Sequence, residues 1–146
     1  MLTNAFYKVS TLFLLMYMPI MAWSGCSINS NGLIFGSYNV FDMRPIDRVG
    51  TIEVQCDENI EYTLKLGRGN GSYTNRVMRN QAEALNYNLY TDASHLFVWG
   101  DGTNGTNIRS GQTMNVTQYY VYGRIFPKQN VSVGYYSDVV LVTLEY

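Results

Sequence analysis

Few residues in this chain are of the kinds that carry catalysis. It has one histidine, His95, with Ser94 beside it and Asp92 close before. A nucleophilic triad needs hydroxyl, imidazole and carboxylate to converge, which near-neighbours on one loop seldom do, and there is no Gly-x-Ser-x-Gly elbow. His95 therefore reads as a loop histidine. Glu53, Glu58, Glu61 and Glu83 are candidates for a glycosidase carboxylate pair, yet nothing in their spacing fixes a mutual distance. Asp101 to Thr106 superficially resembles a calcium loop. An EF-hand wants Asp or Asn third and Glu twelfth, where Thr103 and Gln112 stand, so a hydrogen-bonded turn is expected. Gly67, Gly69 and Gly71 lack the dinucleotide spacing and read as loop flexibility. The two cysteines, Cys26 and Cys56, form no Cys-x-x-Cys pair and no Cys/His cluster, so a structural bridge is favoured over redox or zinc chemistry, with two free thiols as the alternative. Neither an enzyme nor a cofactor is called for.

The chain must still build a core. Its composition is 47% hydrophobic and only 14% charged, well outside the disordered class, and Gly, Asn and Thr are abundant enough for many short strands and turns. Lys8 followed by the apolar run Val9 to Met21, then Ala22-Trp23-Ser24, has the form of a signal peptide over 1-24. The run is too short to span a bilayer, so no membrane span is expected after leader removal. The remaining residues 25-146 make one domain. They carry 9 basic and 11 acidic side chains with no basic stripe, which argues against nucleic-acid binding. An even cysteine pair in an exported chain reads most simply as one disulfide.

Period-two alternation recurs, and no helical periodicity extends beyond two turns. Strands are expected at Leu33 to Tyr38, at Thr51 to Cys56 with Ile52, Val54 and Cys56 inward, and at Glu61 to Leu66 with Tyr62, Leu64 and Leu66 inward. An irregular segment through Ala84, with room for a helical turn, should fold Val77 and Met78 onto the core. Further strands are expected at Leu85 to Tyr90, Phe97 to Trp99 and Thr113 to Ile125. In the last of these the apolar positions run Met114 and Val116, then Tyr119, Val121 and Ile125, and a phase slip near Thr117 and Gln118 marks a bulge or a change of sheet. The final strand, Val139 to Tyr146, puts Val140, Val142, Leu144 and Tyr146 on one face, and Val139 and Leu141 on the other. Six main strands, turns and one bridge imply an all-β, two-sheet antiparallel sandwich. Its most hydrophobic strand comes last, leaving a free edge that something else must cover.

Several stretches resemble the spore coat protein U family, which includes the subunits of archaic, Csu-type chaperone-usher pili. They are Leu33 to Tyr38, Leu85 to Tyr90 with Asp92, Trp99 to Thr103, Tyr122 to Ile125, and Asp138 to Thr143. The resemblance implies an immunoglobulin-like sandwich lacking its last strand, with an open groove beside Val139, Val140, Leu141, Val142, Leu144 and Tyr146. A periplasmic chaperone fills that groove during export through an outer-membrane usher, and a neighbouring pilus subunit fills it in the fibre. It also implies a Cys26–Cys56 bridge from the start of the first strand to the end of the second. Polymerising members carry a donor extension before the first cysteine. Here Gly25 alone would precede Cys26 after cleavage, which fits a tip, terminal or coat subunit.

The surplus of tyrosine is the remaining signal. Adjacent pairs on a strand point to opposite faces, so Tyr119-Tyr120 and Tyr135-Tyr136 should each expose one ring. Trp99, Tyr120 and Tyr136 are the candidate adhesive aromatics for a glycan, protein or abiotic surface. Two readings result. The first is an exported structural and adhesive subunit passing through the periplasm to the cell surface, a pilus or a spore coat. The second is a self-standing secreted β-sandwich that binds carbohydrate or another surface.

Overall fold

A computed structural model describes residues 25–146; the segment read as a leader lies outside the described residues. Eight strands follow in chain order: β1 Cys26–Ser30, β2 Ile46–Cys56, β3 Ile60–Leu66, β4 Arg76–Asn80, β5 Glu83–Tyr90, β6 Arg109–Thr113, β7 Val116–Ile125 and β8 Val142–Glu145. There is no helix among the described residues. Every strand pairing is antiparallel, in a five-stranded sheet ordered β1-β2-β7-β5-β4 and a three-stranded sheet ordered β6-β3-β8.

The alternation that marked β2, β3 and β5 places their apolar sets inward, where Ile52, Val54, Tyr62, Leu64, Leu66, Leu85, Tyr87 and Leu89 form the core with Val121 and Ile125 of β7. Cys26 and Cys56 are directly opposed across β1 and β2 and are bonded, S–S 2.02 Å. Between β6 and β7 the chain turns at Met114 and Asn115 and changes sheet. The phase slip thus corresponds to a sheet switch, placed three residues earlier than the sequence indicated. Met114 and Val116, though apolar, are exposed there, because they lie at the corner rather than over the core.

Four other expectations are corrected. The stretch through Ala84 holds the hairpin β4-β5; Arg76, Val77 and Met78 are all buried, and three successive buried residues leave no alternation to detect. Phe97 to Trp99 makes only single bridges, Val98 to Tyr90 and Trp99 to Asn107. Leu33 to Tyr38 forms no ladder at all. It crosses the inner face of the five-stranded sheet where β2 and β7 present Gly50 and Gly123. A Cβ on Gly50 would lie 2.7 Å from the Gly32 carbonyl oxygen, so only glycine admits the backbone there, and one on Gly123 would lie 2.8 Å from the side-chain tips of Leu33 and Phe35, which would have to shift. Finally, the last strand starts at Val142 rather than Val139. Ser137 still exchanges hydrogen bonds with Arg79 at the β4 edge, and residues 138–141 are spent crossing to β3.

Arg76 is the unusual core member. It is fully buried and donates to the carbonyl of Gly67 (Nε 3.1 Å, Nη2 2.7 Å), to Asn88 Oδ1 (2.7 Å) and to the carbonyl of Trp99 (2.6 Å). Burial pulls its pKa below the ordinary guanidinium value.

Candidate functional site

The two layers are unequal. Strands in a sheet lie about 4.8 Å apart, so five against three leaves roughly 10 Å of inner face that the smaller sheet does not roof. The irregular segment Gly32–Phe41 takes up part of this width. What remains is an open cavity of about 1050 Å³. Its floor is Ile52, Leu85, Tyr87, Leu89, Val121 and Ile125; one rim is Gly32 to Phe41 and the other runs through Val131 to Asp138, Val140 and Val142. Large apolar side chains stand in solvent along both rims: Ile34 is 84% exposed, Phe41 86%, Tyr135 98%, and Val133 fully. Exposed apolar patches of this kind mark interaction surfaces.

At one side of the cavity, β8 pairs with β3 from Thr63–Glu145 to Leu66–Val142, and among the described residues no strand pairs with its other edge. Val140, Val142 and Leu144 pack partly buried against the core, whereas Val139, Leu141 and Tyr146 are exposed at 88%, 70% and 64%. Tyr146 thus parts from Val140, Val142 and Leu144, with which the alternation grouped it, since the ladder ends at Glu145.

Two polar residues that sequence reasoning missed set the rims. The Asp138 carboxylate accepts from the Asn70 and Val139 amides (3.0 and 2.8 Å) and from the Tyr87 hydroxyl (2.8 Å). Burial, and then this hydrogen bond, push the Tyr87 phenol well above its usual range. Gly69, at φ +62°, leaves the space in which that carboxylate sits, so the glycine loop is tied down rather than free. Gln129 donates its amide side chain to the carbonyls of Asn86 and Phe126 (both 2.8 Å), accepts from the Asn86 amide (2.6 Å), and donates its backbone N–H to Tyr38 Oη (2.7 Å), linking the two rims. Their partners lie as far as 91 residues away in sequence, where no local pattern points.

The other candidates sort by placement. Trp99 is 0% exposed, donates Nε1–H to the Leu64 carbonyl (3.3 Å) and packs edge-on to Tyr119; it touches no surface, which corrects its reading as an adhesive aromatic. Tyr120 is 52% exposed on the outer face of the five-stranded sheet. Tyr136 lies in the cavity wall, partly buried, and donates its hydroxyl to the Ser132 carbonyl (2.9 Å), while Tyr135 beside it is in solvent. The Ser94 hydroxyl is bound to Asp92, whose carboxylate also accepts the Leu96 and Phe97 amides. The His95 ring turns instead to Tyr90 and Tyr122, its Nε2 3.7 Å from Asp47, so the three residues assemble no triad. Asp101 caps its own turn, accepting from the Thr103 hydroxyl (2.6 Å) and amide (2.9 Å), which hold its carboxyl down to about 2. Among the described residues no three His, Cys, Asp or Glu side chains are grouped to hold a metal ion.

A bridged, all-β sandwich with an open groove was what the resemblance implied, and the family model for the Spore Coat Protein U domain matches residues 12–143. The chain belongs to the Spore Coat Protein U domain family. The match begins inside the segment read as a leader. Protein U of Myxococcus xanthus is 32% identical over 139 residues, covering 83% of this chain and 77% of its own length. Among solved structures, a chain of the CsuC–CsuE chaperone–tip adhesion subunit pre-assembly complex, from the archaic chaperone-usher Csu pili of Acinetobacter baumannii, superposes with TM-score 0.63 at 22% identity. That alignment covers 85% of this chain and 40% of the other, so this protein spans two fifths of that neighbour. The likeness establishes the immunoglobulin-like sandwich, and family and fold point to a structural role rather than to catalysis.

Proposed function

We propose that this Spore Coat Protein U domain chain is an exported structural and adhesive subunit of a chaperone-usher pilus or surface coat, and that it receives a strand from another polypeptide beside β8. The cavity of about 1050 Å³ next to an unpaired strand edge carries this reading. A strand laid between the rims would ladder with β8, drop alternate side chains onto the floor, and give Leu33 to Tyr38 the partner its alternation calls for. A periplasmic chaperone would lend that strand in transit through an outer-membrane usher, and a neighbouring subunit would replace it at the cell surface. The structural neighbour, taken from a complex between a chaperone and a tip adhesion subunit, supports both the chaperone partner and a place at the fibre tip.

The test uses the exposed rims. Ile34→Asp, Val133→Asp and Tyr135→Asp together alter side chains already in solvent, so the isolated fold should be little affected. Chaperone co-purification should nevertheless be lost, because three carboxylates would border the apolar seat. Undiminished capture of the triple variant would overturn the proposal. So would a parent chain that gains no stability against urea when a chaperone is added, the behaviour of the self-standing binding module.

A further inference from the structure

The outer face of the five-stranded sheet, opposite the groove, carries a strip of aromatic and charged side chains. On β7, Tyr120, Tyr122 and Arg124 alternate onto this face, opposite Thr51, Val49 and Asp47 of β2. The Tyr120 and Tyr122 rings lie 6.4 Å apart, tilted by 47°, and Val49 beside them is 56% exposed. The Tyr122 ring packs at 83° to the ring of His95, 6.5 Å between centroids, and the His95 backbone there is left-handed, φ 58°. At one end Asp47 takes both hydrogen bonds of the Arg124 guanidinium (2.6 and 2.7 Å); at the other Gln118 donates to Glu53 (3.2 Å).

From this arrangement we infer a binding site for a short run of neutral pyranose sugar on the strip Tyr120–Tyr122–Arg124. The C–H groups on one face of a pyranose are slightly positive and stack on the negative face of an aromatic ring. Two rings one strand repeat apart offer places for adjacent sugars. The hydroxyls at the sugar's rim meet a carboxylate and guanidinium already fixed against each other, so little side-chain freedom is lost on binding. Charge selects the ligand: the charge of Arg124 is answered by Asp47, leaving no free cation on the strip for a sulfated or phosphorylated chain. Size selects it too. Two tyrosines and a valine expose far less than the roughly 800 Å² per partner that a stable protein interface buries. This inference rests on the adhesive part of the proposed function and not on strand acceptance, because groove and strip lie on opposite faces of one sheet.

The test is calorimetry of the purified full chain against cellohexaose, maltohexaose and chitohexaose, with a heparin hexasaccharide as the anionic comparison. At least one neutral hexasaccharide should bind. Tyr120→Ala should weaken it tenfold or more, Tyr120→Phe should restore it to within about threefold, and Arg124→Lys should weaken it by a smaller factor. Chaperone capture of Tyr120→Ala should match the parent, which separates failure here from failure of the strand-acceptor reading. Absence of binding to all three neutral probes, stronger binding of heparin, or unchanged affinity in Tyr120→Ala would each overturn the site. Tyr120 is half exposed, so its variants should fold; if Tyr120→Ala does not accumulate, the same comparison runs on Tyr120→Ser against Tyr120→Phe.

Discussion

Arg76→Lys is expected to destabilise the sandwich by about 3 kcal/mol. The guanidinium is fully buried and makes four hydrogen bonds to three acceptors on three different elements, with no carboxylate in salt-bridge contact. Its planar fork suits acceptors spread in one plane, whereas a lysine ammonium gathers its donors on a single nitrogen at the end of a flexible stem. Reaching the Gly67 carbonyl with that single nitrogen would abandon both Asn88 Oδ1 and the Trp99 carbonyl, so two of the three acceptors lose this donor. A buried acceptor that loses its donor costs about 1–3 kcal/mol, and local relaxation recovers a part, which gives the figure of about 3. Against the roughly 5–15 kcal/mol of a typical domain this is a large share. With a urea dependence of about 1.5 kcal/mol per molar, the unfolding midpoint should fall by about 2 M. Trp99 is the sole tryptophan of residues 25–146 and touches the site, so its fluorescence reports the transition directly. Arg79→Lys, on an exposed side chain of the same strand, is the control and should move the midpoint little. A midpoint for Arg76→Lys within about 0.3 M of the parent would refute the reasoning. The change should also loosen the start of β8, because the Gly67 amide beside that carbonyl holds the Leu141 carbonyl at 2.8 Å just before it.

Replacing Cys26 and Cys56 together by alanine opens a loop of 30 residues and should cost about 3.5 kcal/mol by the chain-entropy estimate; a loss below about 1 kcal/mol in urea titration would contradict it. Acid should weaken the fold through Asp47, held below the usual carboxylate range by its hydrogen bonds to Arg124, and Asp101, held at about 2 by Thr103. A carboxyl with a lower pKa folded than unfolded lends its stability above about pH 4 and gives it up as pH falls toward 2, so melting temperature should drop over that window, less steeply in Asp47→Asn. At the other extreme Tyr87 has its pKa raised by burial and by Asp138, so its contribution is complete below about pH 10 and declines as pH rises further. Melting temperature measured from pH 9 to 11 should fall, and Tyr87→Phe should flatten that limb.

Strand faces were legible because burial on one side of a sheet imposes period two. Ile52-Val54-Cys56, Tyr62-Leu64-Leu66 and Leu85-Tyr87-Leu89 all point inward as the alternation required. The same rule misled where alternation existed without a partner, at Leu33 to Tyr38, and where a partner existed without alternation, at Arg76 to Met78. Backbone hydrogen bonding is a property of two strands, and one strand's composition records only its own environment. Trp99 shows the same limit: a large aromatic next to a turn suits either a surface tip or a core filler, and only its neighbours decide that it bonds to Leu64 inside.

By itself the sequence determined the all-β class, the inward set of the main strands, the cysteine pair and the strongly hydrophobic stretch from Val139 to Tyr146. Each of these is written in local order, in alternation, parity or composition. Only the tertiary structure decided that the sheets hold five strands and three, that Asp138 and Gln129 fasten the rims of the resulting opening, and that Tyr120 and Tyr122 share a face with Asp47 and Arg124. Those facts depend on residues between 43 and 91 positions apart meeting across sheets and loops, a closeness that no window along the chain contains.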